Sequence, residues 1–111
     1  MLLDHRIYTV RPGTLKEQLA LYEQFGWKPQ TRHLGQPLAF LHDASDGEVK
    51  NAYVHIWVYA DAEDRKRKRE LLYADPEWQH YNKLNKDAGY LLTQEIRLMS
   101  AAGFAPLQRP E

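Results

Sequence analysis

The sequence predicts an α+β sandwich in which one four-stranded antiparallel sheet carries two helices on a single face. Three observations predict it. Asn51 to Ala60 alternates small aliphatic with large aromatic residues at a period of two, the mark of a strand with two unlike faces. Helix-start chemistry follows an apolar run at Thr14, Asp61 and Asp75. Taken in order, the elements read strand, helix, strand, strand, helix, strand, which is the ferredoxin-like arrangement.

The first strand is Leu2 to Val10, rich in β-branched and aromatic residues and ended by Arg11-Pro12-Gly13. Thr14-Leu-Lys-Glu17 has the form of a capping box and opens the first helix. Leu15, Leu19, Tyr22 and Phe25 make its apolar stripe, and Gly26 with Pro29 supplies the stop. Trp27 to Gly35 has no clear period and reads as an exposed connection. Pro37 to His42 pairs with the organising strand as an antiparallel hairpin across the Asp43 to Gly47 turn.

Asp61 caps the second helix, which carries the charge run Arg65 to Arg69. Asp61, Glu63 and Asp64 precede those bases at helix-pairing distance, so the run reads as a self-neutralised surface and not as a nucleic-acid site. Arg65 shares a face with Ala62, Arg69 and Leu72 and is the member of the run with a specific role. The helix restarts at Asp75-Pro76-Glu77, buries Trp78, Tyr81 and Leu84, and ends at Gly89. Tyr90 to Leu98 is the last strand, with Leu92, Ile96 and Leu98 toward the helices and Thr93, Glu95 and Arg97 opposite. Residues 1–100 form one domain, and 101–111 are an irregular tail.

Of the 111 residues, fifteen are basic and fifteen acidic, so no net field draws nucleic acid or an anionic membrane. No cysteine is present, and no stretch approaches the roughly 20 apolar residues of a membrane span. A cytoplasmic protein is expected.

With Ile7, Val54, Ile56, Val58, Leu92 and Ile96 assigned to the helix side, the bare face carries Arg6, Tyr8, Phe40, His42, His55, Trp57, Tyr59, Glu95 and Arg97. So aromatic a surface calls for a cover, and a second copy of the sheet would close it into a dimeric barrel with a shared lumen. Arginine there suits a carboxylate or enolate, and His55 is the best candidate for moving a proton at neutral pH. His42 and His55 lack the spacing of a metal site, so no metal or cofactor is expected.

Several motifs together resemble the NIPSNAP family. The opening Asp4-His-Arg6-Ile-Tyr8 and its Pro12-Gly13-Thr14 turn are similar to that family's first strand. His55, Trp57 and Tyr59, with Asn51 before them, resemble its central signature, and Arg65 and Asp75-Pro76-Glu77-Trp78 its helix motifs. Leu38 to His42 departs from the Gly-Tyr-Trp segment expected on the second strand. The resemblance implies a homodimeric α+β barrel and no defined catalytic mechanism. Arg65 joins the candidate ligand-binding residues on this basis. Three function classes follow: a binder of a small aromatic or acidic molecule, an enzyme like the cofactor-independent monooxygenases or isomerases built on related barrels, and an interaction homodimer with a filled barrel.

Overall fold

The computed structural model describes residues 1–47 and 50–107, so the last residues of the predicted tail, 108–111, lie outside it. Its elements are β1 (Leu2–Val10), α1 (Leu15–Leu21), α2 (Trp27–Leu34), β2 (Ala39–His42), β3 (Ala52–Tyr59), α3 (Ala62–Ala74), α4 (Pro76–Ala88) and β4 (Leu91–Met99). The sheet runs in the order β2-β3-β1-β4 with every pairing antiparallel. This is the ferredoxin-like α+β sandwich, with helices on one face.

The caps at Asp61 and Asp75 form as their residues dictate. The Asp61 carboxylate accepts from the Asp64 amide at 2.8 Å and the Asp75 carboxylate from the Glu77 amide at 2.8 Å. Asp64 pairs with Arg67 at 2.7 Å and Lys68 at 3.1 Å, which neutralises much of the basic run on its own helix. Gly89 ends α4 in the left-handed conformation, φ 66°. At Thr14 the expected capping box is replaced: the hydroxyl donates to the Arg11 carbonyl at 2.7 Å and makes no cap bond.

The first helix does not stop at Gly26. A π-helical turn, Tyr22–Gly26, joins α1 to α2, and the segment expected to be a connection is helix as far as Leu34. Pro29 falls in the first turn after this wide coil, where its missing N–H costs little. Gly26 is there for space and not as a breaker: a Cβ on it would stand 2.7 Å from Tyr22 Cδ1 and 3.2 Å from Tyr81 Cδ1. Arg32 and His33 of α2 both reach Asp75 at the head of α4, at 2.7 and 2.8 Å, and fasten the two helices together.

The largest correction concerns which face of the sheet the helices cover. Tyr53, His55, Trp57 and Tyr59 lie beneath them, at most 3% exposed, together with Asp4, Arg6 and Val10. The aliphatic row Val54, Ile56 and Val58 lies on the bare face with Ile7, which pairs with Val54. Area decides this. An aromatic side chain buries about 150–250 Å², more than a valine or isoleucine can, so covering the aromatic row removes more apolar area from water. The helices also offer matching aromatic surfaces in Tyr22, Trp78 and Tyr81, which share one core cluster with Trp57, Tyr59 and Leu72.

In β4 the register runs one step from that expected. Arg6 pairs with Ile96 and Ile7 with Glu95, so Ile96 and Leu98 are on the same side as Arg6, while Glu95 and Arg97 are on the aliphatic side. No helix covers β4: Ile96 is 45% and Leu98 52% exposed although both point to the helix side.

Candidate functional site

Between the sheet and the helices lies a cavity of about 360 Å³. Its floor comes from the alternate residues Arg6 and Tyr8 of β1, Phe40 of β2 and Tyr53 and His55 of β3. Its roof comes from helix residues at helical spacing, Arg65, Arg69 and Tyr73 on α3 and Trp78, Tyr81 and Asn85 on α4. Tyr22 and Gln30 close one end, and Gln94 and Ile96 of β4 border the other.

Charge in the cavity is organised by one carboxylate. Asp4, fully buried, accepts from Arg6 Nε at 2.8 Å, Arg6 Nη2 at 3.1 Å and Arg65 Nε at 3.0 Å. Burial works against its ionised form, but the two guanidiniums outweigh burial and hold its carboxyl below the usual value of 3.8. Arg6 is likewise held firmly charged: burial opposes the charge, and Asp4 with the Tyr8 hydroxyl, 3.2 Å from Nη1, more than restores it. Arg69 stands over the Tyr73 ring at 5.1 Å and donates through Nε to its hydroxyl at 2.9 Å. Arg6, Arg65 and Arg69 thus face the cavity against Asp4 beneath it, and no Asp or Glu is among the lining residues. The local balance is positive in a chain whose overall charge is zero.

His55 differs from its expected role. Burial first, and the Arg6 charge second, push its pKa from 6.5 to about 3. Its Nδ1 accepts from Trp57 Nε1 at 2.7 Å. At neutral pH the ring is therefore uncharged and is not a base poised near 7. Tyr22, Tyr53 and Tyr81 are pushed above their ordinary 10.0, in each case mainly by burial, so their hydroxyls stay protonated. Gln18, buried under α1, donates to the hydroxyls of Tyr53 at 3.2 Å and Tyr81 at 3.3 Å and so sets the orientation of both. Several polar atoms on the cavity wall have no hydrogen-bond partner among the described residues: His55 Nε2, Arg69 Nη1, Trp78 Nε1 and Asn85 Oδ1. Three of these are donors.

Of the residues singled out from sequence, Arg6, Tyr8, Phe40, His55 and Arg65 come together on this cavity. Trp57 and Tyr59 lie behind it, fully buried in the core. His42 sits exposed at the hairpin end, its Nδ1 donating to the Asp43 carbonyl at 2.9 Å. Glu95 and Arg97 pair with each other at 3.2 Å on the opposite side of the sheet, which separates them from the cavity. The cavity that gathers these five lies inside one chain, between sheet and helices, and not on the sheet's bare face. Arg69, Trp78 and Asn85 were not foreseen. Their signal is spacing, Arg65-Arg69-Tyr73 every four residues and Trp78-Tyr81-Asn85 at three and four.

A search of the curated proteins gives no match. Among solved structures, an uncharacterised NIPSNAP domain protein from Burkholderia xenovorans is 30% identical, with 96% of this chain and 99% of that chain covered and a TM-score of 0.84. A NIPSNAP family protein of unknown function from Agrobacterium tumefaciens is also 30% identical, covering 97% of this chain and 94% of that chain at a TM-score of 0.83. A putative antibiotic biosynthesis monooxygenase from Nitrosomonas europaea, 10% identical with 91% and 98% covered and a TM-score of 0.63, shares the fold alone. The NIPSNAP family model matches residues 3–106, nearly the whole chain, and together with these structures it establishes that the chain belongs to the NIPSNAP family.

Proposed function

We propose that the cavity between sheet and helices binds a small organic anion with a flat apolar body, and that two chains pair back to back through their aliphatic sheet faces. One observation carries the ligand reading: three arginines and no acid line a space of about 360 Å³ whose other walls are aromatic. That volume is within the range of small-molecule sites, about 300–1,000 Å³. Tyr8, Phe40, Tyr53 and Trp78 offer ring surfaces, and the Arg69 guanidinium on the wall suits a carboxylate, enolate or phenolate. Pairing is supported by the bare face, where Ile7, Ala39, Val54, Ile56 and Val58 meet no helix and carry no charge. A second copy fits such a face because the same aliphatic strip on both partners is self-complementary about a two-fold axis. Binding is the function this geometry supports best, since the lining gathers arginines and aromatic rings without a paired acid and base.

The test is a thermal-shift screen with a panel of aromatic and aliphatic carboxylates, enols and phenols beside their neutral isosteres. An anion that binds at 100 times its Kd stabilises the native state by about 2.7 kcal/mol. The shift is expected to disappear in Arg69→Gln, each shift being read against that variant's own unliganded Tm. Hits confined to neutral molecules, or an anion shift untouched by Arg69→Gln, would refute the reading.

A further inference from the structure

The bond between Trp57 and His55 fixes more than packing. An indole N–H donates and never accepts, so the 2.7 Å contact makes His55 Nδ1 the acceptor. A neutral imidazole has one donor and one acceptor nitrogen; with Nδ1 accepting, the proton is on Nε2. That Nε2 is buried and has no partner among the described residues, and His55 is one of the residues that line the cavity. The ring cannot turn over to offer its other nitrogen. Phe40 stacks on it at 5.1 Å and Tyr53 at 5.8 Å, while Tyr8 meets it edge-on at 4.7 Å. Turning it would also strand the Trp57 N–H without an acceptor in the core, where Trp57 is 0% exposed.

We propose that Trp57 is a positioning residue that locks His55 in the Nε2–H tautomer, so that the cavity presents His55 only as a donor and selects ligands bearing an oxygen acceptor, a carboxylate, enolate or phenolate, at that point. This rests on the ligand reading above and sharpens it. Trp57 itself touches no ligand; it acts through His55. The charged and titratable groups around the ring are Asp4, His5 and Arg6 on β1 and Arg69 on α3. Arg6 and Arg69, which line the cavity with His55, add positive potential there and draw an anion's oxygen toward that wall.

The experiment is a long-range ¹H–¹⁵N correlation of histidine-labelled protein at pH 7, wild type and Trp57→Phe, alone and titrated with benzoate. Wild type is expected to show His55 neutral with the proton on Nε2, and benzoate is expected to move that proton's resonance downfield. In Trp57→Phe the ring is expected to become a mixture of tautomers, with benzoate binding weakened at least threefold. A wild-type ring protonated on Nδ1, or an unchanged tautomer in Trp57→Phe, overturns the proposal. So does benzoate that raises Tm without moving the His55 signal, although the ligand reading then stands. Benzoate and the rest of the anion panel failing to raise Tm removes the ligand reading, and the selectivity with it. Far-UV circular dichroism checks that Trp57→Phe remains folded, and the signals of the four remaining histidines serve as internal controls.

Discussion

Replacing Asp4 by Asn keeps the shape of the side chain and removes the charge that two arginines share. Asp4 is fully buried, the Arg6 side chain is 7% exposed, and the three bonds between carboxylate and guanidiniums measure 2.8, 3.1 and 3.0 Å. After the change Arg6 keeps only the Tyr8 hydroxyl at 3.2 Å as a strong acceptor. Removing one partner of a buried pair costs about 3–5 kcal/mol because the other charge stays buried without compensation. A domain of this kind has about 5–15 kcal/mol in total, so the loss takes about a fifth of it or more. At a urea slope of about 2 kcal/mol per molar the unfolding midpoint falls by about 2 M. Arg65→Gln is the companion. Its side chain is 26% exposed, so water compensates part of the loss and the expected cost is below half that of Asp4→Asn. Equilibrium urea unfolding followed by tryptophan fluorescence measures both. Because the Asp4 carboxyl is held below 3.8, its stabilisation is present above that pH and is lost as pH falls through the folded-state value. A loss under 1 kcal/mol in Asp4→Asn, or equal losses in the two variants, would refute the claim that this carboxylate organises the cavity's charge.

Three further outcomes are expected. His55 is neutral in the native state down to about pH 3 but takes up a proton near 6.5 when unfolded, so its contribution is complete above 6.5 and declines as pH falls toward 3. By pH 5 wild type should have lost about 2 kcal/mol that His55→Gln does not lose, and equal urea midpoint changes between pH 7.5 and 5 would contradict the burial of a neutral ring. Gly26→Ala places a methyl 2.7 Å from the Tyr22 ring; overpacking of about 1–3 kcal/mol outweighs the helix gain of up to ~1 kcal/mol, and calorimetry should show Tm lowered by several degrees. Ile56→Lys on the bare face should convert dimer to monomer in analytical ultracentrifugation while leaving the anion-induced thermal shift in place, and a dimer that survives it would exclude pairing through that face.

The sequence carried the elements because their signals are local. Alternation in 51–60, the caps at Asp61 and Asp75 and the Gly89 stop each depend on a few neighbouring residues. The face assignment depended on something distant. Val54, Ile56 and Val58 look like a core and His55 looks like a site, and polarity alone puts the first under helices and the second in a lumen. What reverses them is the larger area of the aromatic row, and the Asp4 carboxylate makes its burial tolerable: its partners Arg6 and Arg65, two and sixty-one residues away, form a charged cluster compatible with burial. The shift of pairing between Thr9 and Val10 against β4 is similarly invisible along the chain, and it moves Glu95 and Arg97 away from Arg6. Gly26 and Pro29 mislead for another reason: both are read as punctuation, whereas a π turn tolerates them and the packing of Tyr22 against Tyr81 requires the glycine.

The helices stop short of β4, and Ile96 and Tyr73, both lining the chamber, are about half exposed. If the proposed ligand binds there, this side gives it a route to solvent past two side chains, and its residence time would report the strength of the bonds made inside and not the frequency of a backbone gate.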